Sequence, residues 1–220
     1  QYICRMDADD ISYTDRIARQ LECLTKQDAD LVGGCMEVID EFGNTLYSAS
    51  YLPETSVKIK KALRWNNCVP HPTWFGKREI FEKGYREIPL CEDYDFLLRA
   101  SLNGKNFANT KEPVLKYRMG DASISRSNLF DQYLYMRYLT SSYAQGKVVD
   151  VDTAISWVAS RSSQSKRLRY LKANESFNSA LDRIEAHDYL KAFVCLLRIP
   201  CTSPSYVKKM FRLVFAALSL

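Results

Sequence analysis

QYICRMDADD, residues 1–10, places three carboxylates, Asp7, Asp9 and Asp10, directly behind a short apolar run. Carboxylates that close repel one another and resist desolvation unless a positive charge offsets them. A solvated turn after a strand explains the crowd simply, because Asp is common in turns. A cation site at the carboxyl end of a strand explains it equally well, since open α/β sheets bind ligands there. If the strand runs on through the acids, Asp7 and Asp9 share a face, with Ala8 leaving room between them. Such a pair suits Mg²⁺ or Mn²⁺ when phosphate oxygens complete the shell. An EF-hand reading fails, because Ser12 and Ala18 stand where that loop needs Gly and a bidentate Glu.

The 220 residues, 46% hydrophobic and 26% charged, supply one domain, or one domain with an appendage. Aromatic content of 12%, with fourteen Tyr, favours surfaces that stack on rings or bind amphipathic partners. The seven Cys are scattered without a C-x-x-C pair, which argues against a zinc site or a disulfide framework and for reduced thiols. With two His, a histidine-built metal centre is not expected. The net charge of +5 is uneven: from Arg126 onward 14 bases face 7 acids, and before it 17 bases face 19 acids. The acidic front suits a metal, and the basic back suits an anionic partner, membrane lipid or nucleic acid. No apolar run reaches the ~20 residues that spanning a bilayer requires.

Tyr2–Met6 reads as a strand end, and Ser12-Tyr13-Thr14 as a helix start ahead of Ile17, Leu21 and Leu24 at helical spacing. DADLVGGCMEVID and TLYSASYL, joined by EFGN, read as a β-hairpin. ETSVKIKKALRW reads as a short helix, HPTWFGKREIFEKGY as a brief strand and a helical turn, CEDYDFLLRASLNG as a helix stopped by Gly104, and KEPVLKYRM as a strand. After Ser125 the pattern turns helical. LFDQYLYMRYLTSSYAQG, SWVASRSSQSKRLRYLK, SALDRIEAHDYLKAFVCLLRI and SYVKKMFRLVFAALSL each predict one helix. The expected organisation is an α/β part over residues 1–125 and an α-helical extension over 126–220.

Three further groups carry chemical interest. Glu92 and Asp93 open a helix, where the dipole favours acids; an Asp there can also serve as a general base. Two residues along a helix turn a side chain by about 200°, so Asp95 is assigned to structure. His71, between Pro70 and Pro72, sits on a restricted backbone that would suit an aimed side chain. Arg118, after Tyr117 at a strand end, could fork onto a pyrophosphate.

RMDADDIS, DRIARQ, DLVGG, HPTWFGKREIFEKGY, CEDYDFLLRA and LKYR, in that order, resemble family-2 glycosyltransferases of the GT-A fold, over residues 1 to about 125. The likeness is to those that build capsule, exopolysaccharide or O-antigen chains. It implies the C-terminal half of a GT-A (Rossmann-like) domain, with the N-terminal nucleotide-binding part missing before Gln1, and a fragment that alone binds nucleotide-sugar poorly and is inactive. It implies inverting transfer from a nucleotide-sugar, a UDP-sugar first among them, to a saccharide or polyprenyl-linked acceptor, with Mg²⁺ or Mn²⁺ as cofactor. Asp93 matches the general base; Asp9 and Asp7 match metal ligands. Asp7, Arg5, Asp10 and Arg118 fall on the donor side, and Glu92, His71 and Tyr117 on the acceptor side. Such relatives often carry a His two residues after the Tyr-Arg pair, and here that position is Gly120. The expected location is cytoplasmic with no nucleic acid bound; the last helix either meets an anionic membrane surface through Lys208, Lys209 and Arg212 or packs its apolar side on the catalytic domain. A non-catalytic carbohydrate-binding module and an Asp-nucleophile phosphatase are the alternatives.

Overall fold

The computed structural model describes residues 1–49, 51–119 and 128–218. Six strands form one mixed sheet: β1 (Tyr2–Cys4), β2 (Ile11–Ser12), β3 (Leu31–Ile39), β4 (Thr45–Ala49), β5 (Phe75–Lys77) and β6 (Phe107–Arg118). Their order is β1-β5-β3-β6-β2, and β4 pairs with the far end of β3 as the predicted hairpin. β3 and β6 run parallel and form the buried spine, with Val38 opposite Tyr117 and Ile39 opposite Arg118. The interleaved helices are α1 (Arg16–Lys26), α2 (Ser56–Ala62), α3 (Arg78–Phe81) and α4 (Glu92–Leu102). From Leu129 every described element is helical: α5 (Leu129–Ala144), α6 (Val151–Ala159), α7 (Gln164–Glu185), α8 (Tyr189–Thr202) and α9 (Pro204–Ala217). These helices share one apolar core with the sheet, running from Leu31 and Trp74 through Tyr94 and Leu97 to Tyr133, Tyr170 and Tyr206.

The two glycines of DLVGG answer to packing. A Cβ on Gly33 would lie 2.5 Å from Asn109 Oδ1 and 2.6 Å from Val69 Cγ1, and one on Gly34 would meet Thr110 Oγ1. Gly34 N donates to Thr73 Oγ1 at 3.0 Å, which seats the 3₁₀ turn His71–Thr73 against β3.

Four sequence expectations are corrected. β1 ends at Cys4, and Ala8–Asp9 form a turn closed by Asp10 N donating to Asp7 O, so Asp7 and Asp9 share no strand face. Ser12 lies in β2, and α1 begins at Arg16 with its apolar spacing turned outward: Ile17 is 48% exposed and Leu21 36%, and the buried residues are Arg16, Gln20 and Leu24. SWVASRSSQSKRLRYLK is two helices, because Ser163 caps α7 by accepting from Lys166 N. SALDRIEAHDYLKAFVCLLRI is likewise broken, where His187 takes a left-handed φ of 58° and Asp188 caps α8.

The last helix packs on the rest of the protein, one of its two expected roles, while Lys208 stays exposed. Lys209 and Arg212 of α9 turn inward, and Phe215 stacks on Trp65 with ring centroids 4.9 Å apart. Phe211 and Val214 of α9 are exposed, as are Tyr189, Leu190, Phe193 and Leu197 of α8.

Candidate active site

A cavity of about 630 Å³ opens where the carboxyl end of β6, the acid turn, the His71 turn and the start of α4 meet. It is lined by Asp7, His71, Glu92, Asp93 and Tyr117, five residues that the sequence singled out, together with Met36, Asn67, Leu90 and Gln132. Asp9, Asp10, Arg5 and Arg118 belong to the acid turn and its supports beside it.

Asp93 sits in the first turn of α4 and keeps an edge open to the cavity while protein covers the rest. Its Oδ1 accepts from Tyr94 N at 2.7 Å and its Oδ2 from Asn67 Nδ2 at 2.9 Å. Burial raises its carboxyl to about 6; the two hydrogen bonds oppose that rise and Glu92 adds to it. A carboxylate so poised is a competent base near neutral pH, and each oxygen keeps a second lone pair. Glu92 next to it is exposed. Asp95 faces the opposite way, 2% exposed, and is held by Arg86 and Arg99 at 2.5–2.9 Å, the structural role its position on the helix predicts.

Asn67 was not singled out from the sequence. Its Oδ1 accepts from Val69 N at 3.0 Å, which fixes the amide so that Nδ2 points at Asp93. The local signal was an Asn two residues before a buried turn, the pattern of an Asx turn. Leu90, also on the cavity wall, has a φ of 63°, a left-handed conformation that is costly for a branched side chain. Its carbonyl accepts from Gln132 Nε2 at 3.2 Å.

His71 Nε2 pairs with Tyr85 Oη at 2.8 Å, and its ring packs edge-on against Trp74 and Tyr85. Burial, reinforced by the nearby Arg5 charge, pulls its pKa down to about 4, so at neutral pH it is an uncharged hydrogen-bonding and stacking group. Burial raises the Tyr117 phenol, with Asp10, Asp7 and Asp9 adding to the effect.

In the acid turn, Arg5 grips Asp7 with two bonds of 2.6 and 2.8 Å. An Asp7 nucleophile would have to break that bidentate pair, which weighs against the phosphatase reading. Asp9 is exposed. Asp10 is covered, though shallowly: Oδ1 accepts from Arg118 N at 2.9 Å, and Oδ2 is buried without a partner. Burial raises its pKa, and Asp7 and Asp9 add to that rise. Arg118 does not fork outward as expected. Its Nε donates to Asp9 O, and its Nη1 to Asp40 O and Glu41 O, so it clamps the acid turn to the β3–β4 turn. Gly120 lies outside the described residues, as do residues 121–127.

The donor set of this turn is all carboxylate, the hard-oxygen chemistry that Mg²⁺ and Mn²⁺ prefer. Among the described residues no three His, Cys, Asp or Glu side chains converge into a complete cage. A cage is not required where one or two carboxylates share the ion with substrate phosphates. The partnerless, buried Asp10 Oδ2 is consistent with such a shared site.

The site is assembled from α1. Arg16 Nη2 donates to Arg5 O at 2.7 Å and to Pro72 O at 3.2 Å, and its Nε to Gln20 Oε1 at 2.9 Å. Gln20 Nε2 donates to Thr73 O at 2.7 Å and, more weakly, to the carbonyls of Val32 and Gly33. One polar pair within DRIARQ thus ties together the acid turn, the His71 turn and β3.

Over 131 residues the chain is 34% identical to an O-antigen biosynthesis glycosyltransferase of Escherichia coli, covering 58% of this chain and 51% of that protein. Over 150 residues it is 30% identical to an uncharacterized glycosyltransferase of Methanocaldococcus jannaschii, covering 67% of this chain and 52% of that protein. The chain is a relative of glycosyltransferases. It spans about half the length of these two curated relatives. No family model matches it. Among solved structures, S. aureus TarS residues 1–349 in complex with UDP-GlcNAc overlaps 99% of this chain and 65% of its own, at a TM-score of 0.47 and 10% identity. That likeness is too loose to bear on function. The mixed sheet with interleaved helices, followed by helices alone from Leu129, agrees with the α/β class and helical extension expected from the sequence.

Proposed function

We propose that this protein transfers a sugar from a nucleotide-sugar donor to a hydroxyl of a saccharide or polyprenyl-linked acceptor during cell-surface polysaccharide synthesis. The observation that carries the reading is Asp93, poised at about 6 on the wall of a cavity it shares with Asp7, His71, Glu92 and Tyr117. In the reaction the acceptor oxygen attacks the anomeric carbon as the bond from that carbon to the diphosphate breaks. Asp93 takes the hydroxyl proton, the nucleoside diphosphate leaves with the bonding pair, and the anomeric configuration inverts. Asp7 and Asp9 are the residues that would hold Mg²⁺ or Mn²⁺, with Asp10 behind them; the ion, when bound, supplies charge compensation to the leaving diphosphate. His71 and Tyr85 offer a neutral, ring-faced wall for a sugar, and Glu92 an exposed acceptor for its hydroxyls.

The relative from Escherichia coli, named for O-antigen biosynthesis, supports the surface-polysaccharide setting. Among the described residues no helix is long and apolar enough to cross a membrane. Peripheral contact with a membrane would be made by the exposed face of α8 and by Phe211 and Val214 of α9, since the bases of α9 at 209 and 212 point into the protein.

The test is transfer activity of the protein as the cell makes it, against a nucleotide-sugar panel with and without Mn²⁺. Asp93→Asn should lower turnover by roughly 10²–10⁴, and Asp9→Ala should abolish the metal-stimulated rate. Normal turnover in both variants would refute the reading.

A further inference from the structure

A second cavity, about 200 Å³, lies behind Trp65 and Asn66, between α5, α7 and α9. Gln132 lines both this cavity and the active-site cavity, so the two are neighbours across one side chain. Its walls include Tyr133, Tyr170, Lys209 and Arg212. Lys209 Nζ stands 4.7 Å from the Tyr206 ring centroid and 5.9 Å from that of Tyr170. Arg212 donates from Nη1 to Thr140 Oγ1 at 2.9 Å and from Nη2 to Trp65 O at 2.5 Å. Among the described residues no carboxylate pairs with either cation. Burial pulls both below their ordinary pKa.

The hydroxyls of Tyr133 and Tyr170 are buried there without a hydrogen-bond partner. The Arg137 guanidinium, 5.8 Å from the Tyr133 ring centroid, adds a third cation on that side and lowers the Tyr133 phenol against the rise that burial causes. Part-buried cations without a counter-ion and buried hydroxyls without a partner are each unfavourable. The two bonds of Arg212 account for it as a clasp between α9 and the segment after α2. They leave Lys209, which has ring faces beside it but no counter-ion, and both tyrosine hydroxyls without a polar partner. A bound anion with several oxygens would answer all of them together, since the ammonium and both hydroxyls can donate. The cavity has room for a tetrahedral group and the waters around it.

We propose that this cavity binds a phosphate group, held by Lys209 and the hydroxyls of Tyr133 and Tyr170, with Arg212 alongside. The phosphate is either free in solution or the headgroup of a lipid. Binding is read without turnover, so the outcome is independent of the transfer reaction.

The experiment is calorimetric titration of the purified protein with inorganic phosphate and diphosphate, in chelator so that no divalent ion bridges the anion to Asp7 or Asp9. Wild-type protein and Asp93→Asn should bind alike, Lys209→Gln at least tenfold more weakly, and Tyr170→Phe several-fold more weakly. Tyr170→Phe removes one oxygen and keeps the ring, so it decides the matter if Lys209→Gln does not fold. Vesicles containing phosphatidic acid then separate the sources: displacement of bound phosphate marks a lipid headgroup, and no displacement marks a soluble phosphate. Absence of binding by wild type, or binding that survives both variants, overturns the proposal.

Discussion

Asp93→Asn should inactivate the protein and, above about pH 6, make its fold more stable relative to wild type. The Asp93 carboxyl is raised from 3.8 to about 6, chiefly by burial. A raised carboxyl means that the folded state binds the proton more tightly than the unfolded chain. The native state therefore gains stability as pH falls through 6 toward 4, and loses it as pH rises through 6. Fully developed, a shift of this size corresponds to about 3 kcal/mol of penalty at pH 8, an upper figure because water at the cavity edge screens part of it. The substitution removes the charge but leaves an amide facing Asn67, whose own amide cannot turn because Val69 N holds its oxygen. That mismatch costs on the order of 1 kcal/mol, and it is the same at every pH. The pH-dependent part is cleaner. Between pH 8 and pH 5 a carboxyl at about 6 recovers about 1.4 kcal/mol of native stability, and an amide recovers none. Urea unfolding of wild type and variant at pH 5, 6, 7 and 8 reads this directly, as a gap that moves against the variant by about that amount on acidification. A gap constant with pH, or one that moves the other way, refutes the assignment of a raised pKa to Asp93.

The same carboxyl sets the acid limb of turnover: the transfer rate should rise with pH through about 6, and Asn67→Ala, which removes a donor to the charged form, should move that limb upward in a pH–rate profile. Gly33→Ala should destabilise the fold by about 1–3 kcal/mol in urea unfolding, since its Cβ meets Asn109 Oδ1 and Val69 Cγ1.

What the sequence could and could not reveal divides along physical lines. The helix rule separates Asp93 from Asp95 from sequence alone, because 100° per residue is a property of the backbone. The strand rule misplaces Asp7 and Asp9, because β1 stops after three residues and nothing local in RMDADD distinguishes a continuing strand from a turn. Apolar spacing holds in α1 for Leu24, which is buried, and fails for Ile17 and Leu21, which face out while Arg16 and Gln20 face in. Periodicity assumes that burial follows hydrophobicity; here backbone carbonyls from three distant segments recruit the polar face. The joined helices of the tail fail for a related reason. Ser163 and Asp188 are ordinary polar residues until the chain around them adopts the geometry that lets each side chain accept a backbone N–H.

The carbonyl recruitment by α1 bears on how the site keeps its shape. Arg16 and Gln20 contact none of the cavity-lining side chains through a hydrogen bond; they hold Arg5, Pro72, Thr73, Val32 and Gly33 by main-chain oxygens. A clamp made this way is blind to side-chain identity at 5, 72 and 73, so the residues facing the substrate can vary without loosening the turns that carry them. Arg118 works by the same device, on the carbonyls of Asp9, Asp40 and Glu41. The two arginines fix the acid turn from opposite sides, Arg16 before it at Arg5 and Arg118 after it at Asp9. The backbone of the acid turn is thereby fixed at both ends despite the mutual repulsion of its carboxylates, a rigidity that would serve the divalent cation and diphosphate proposed for it.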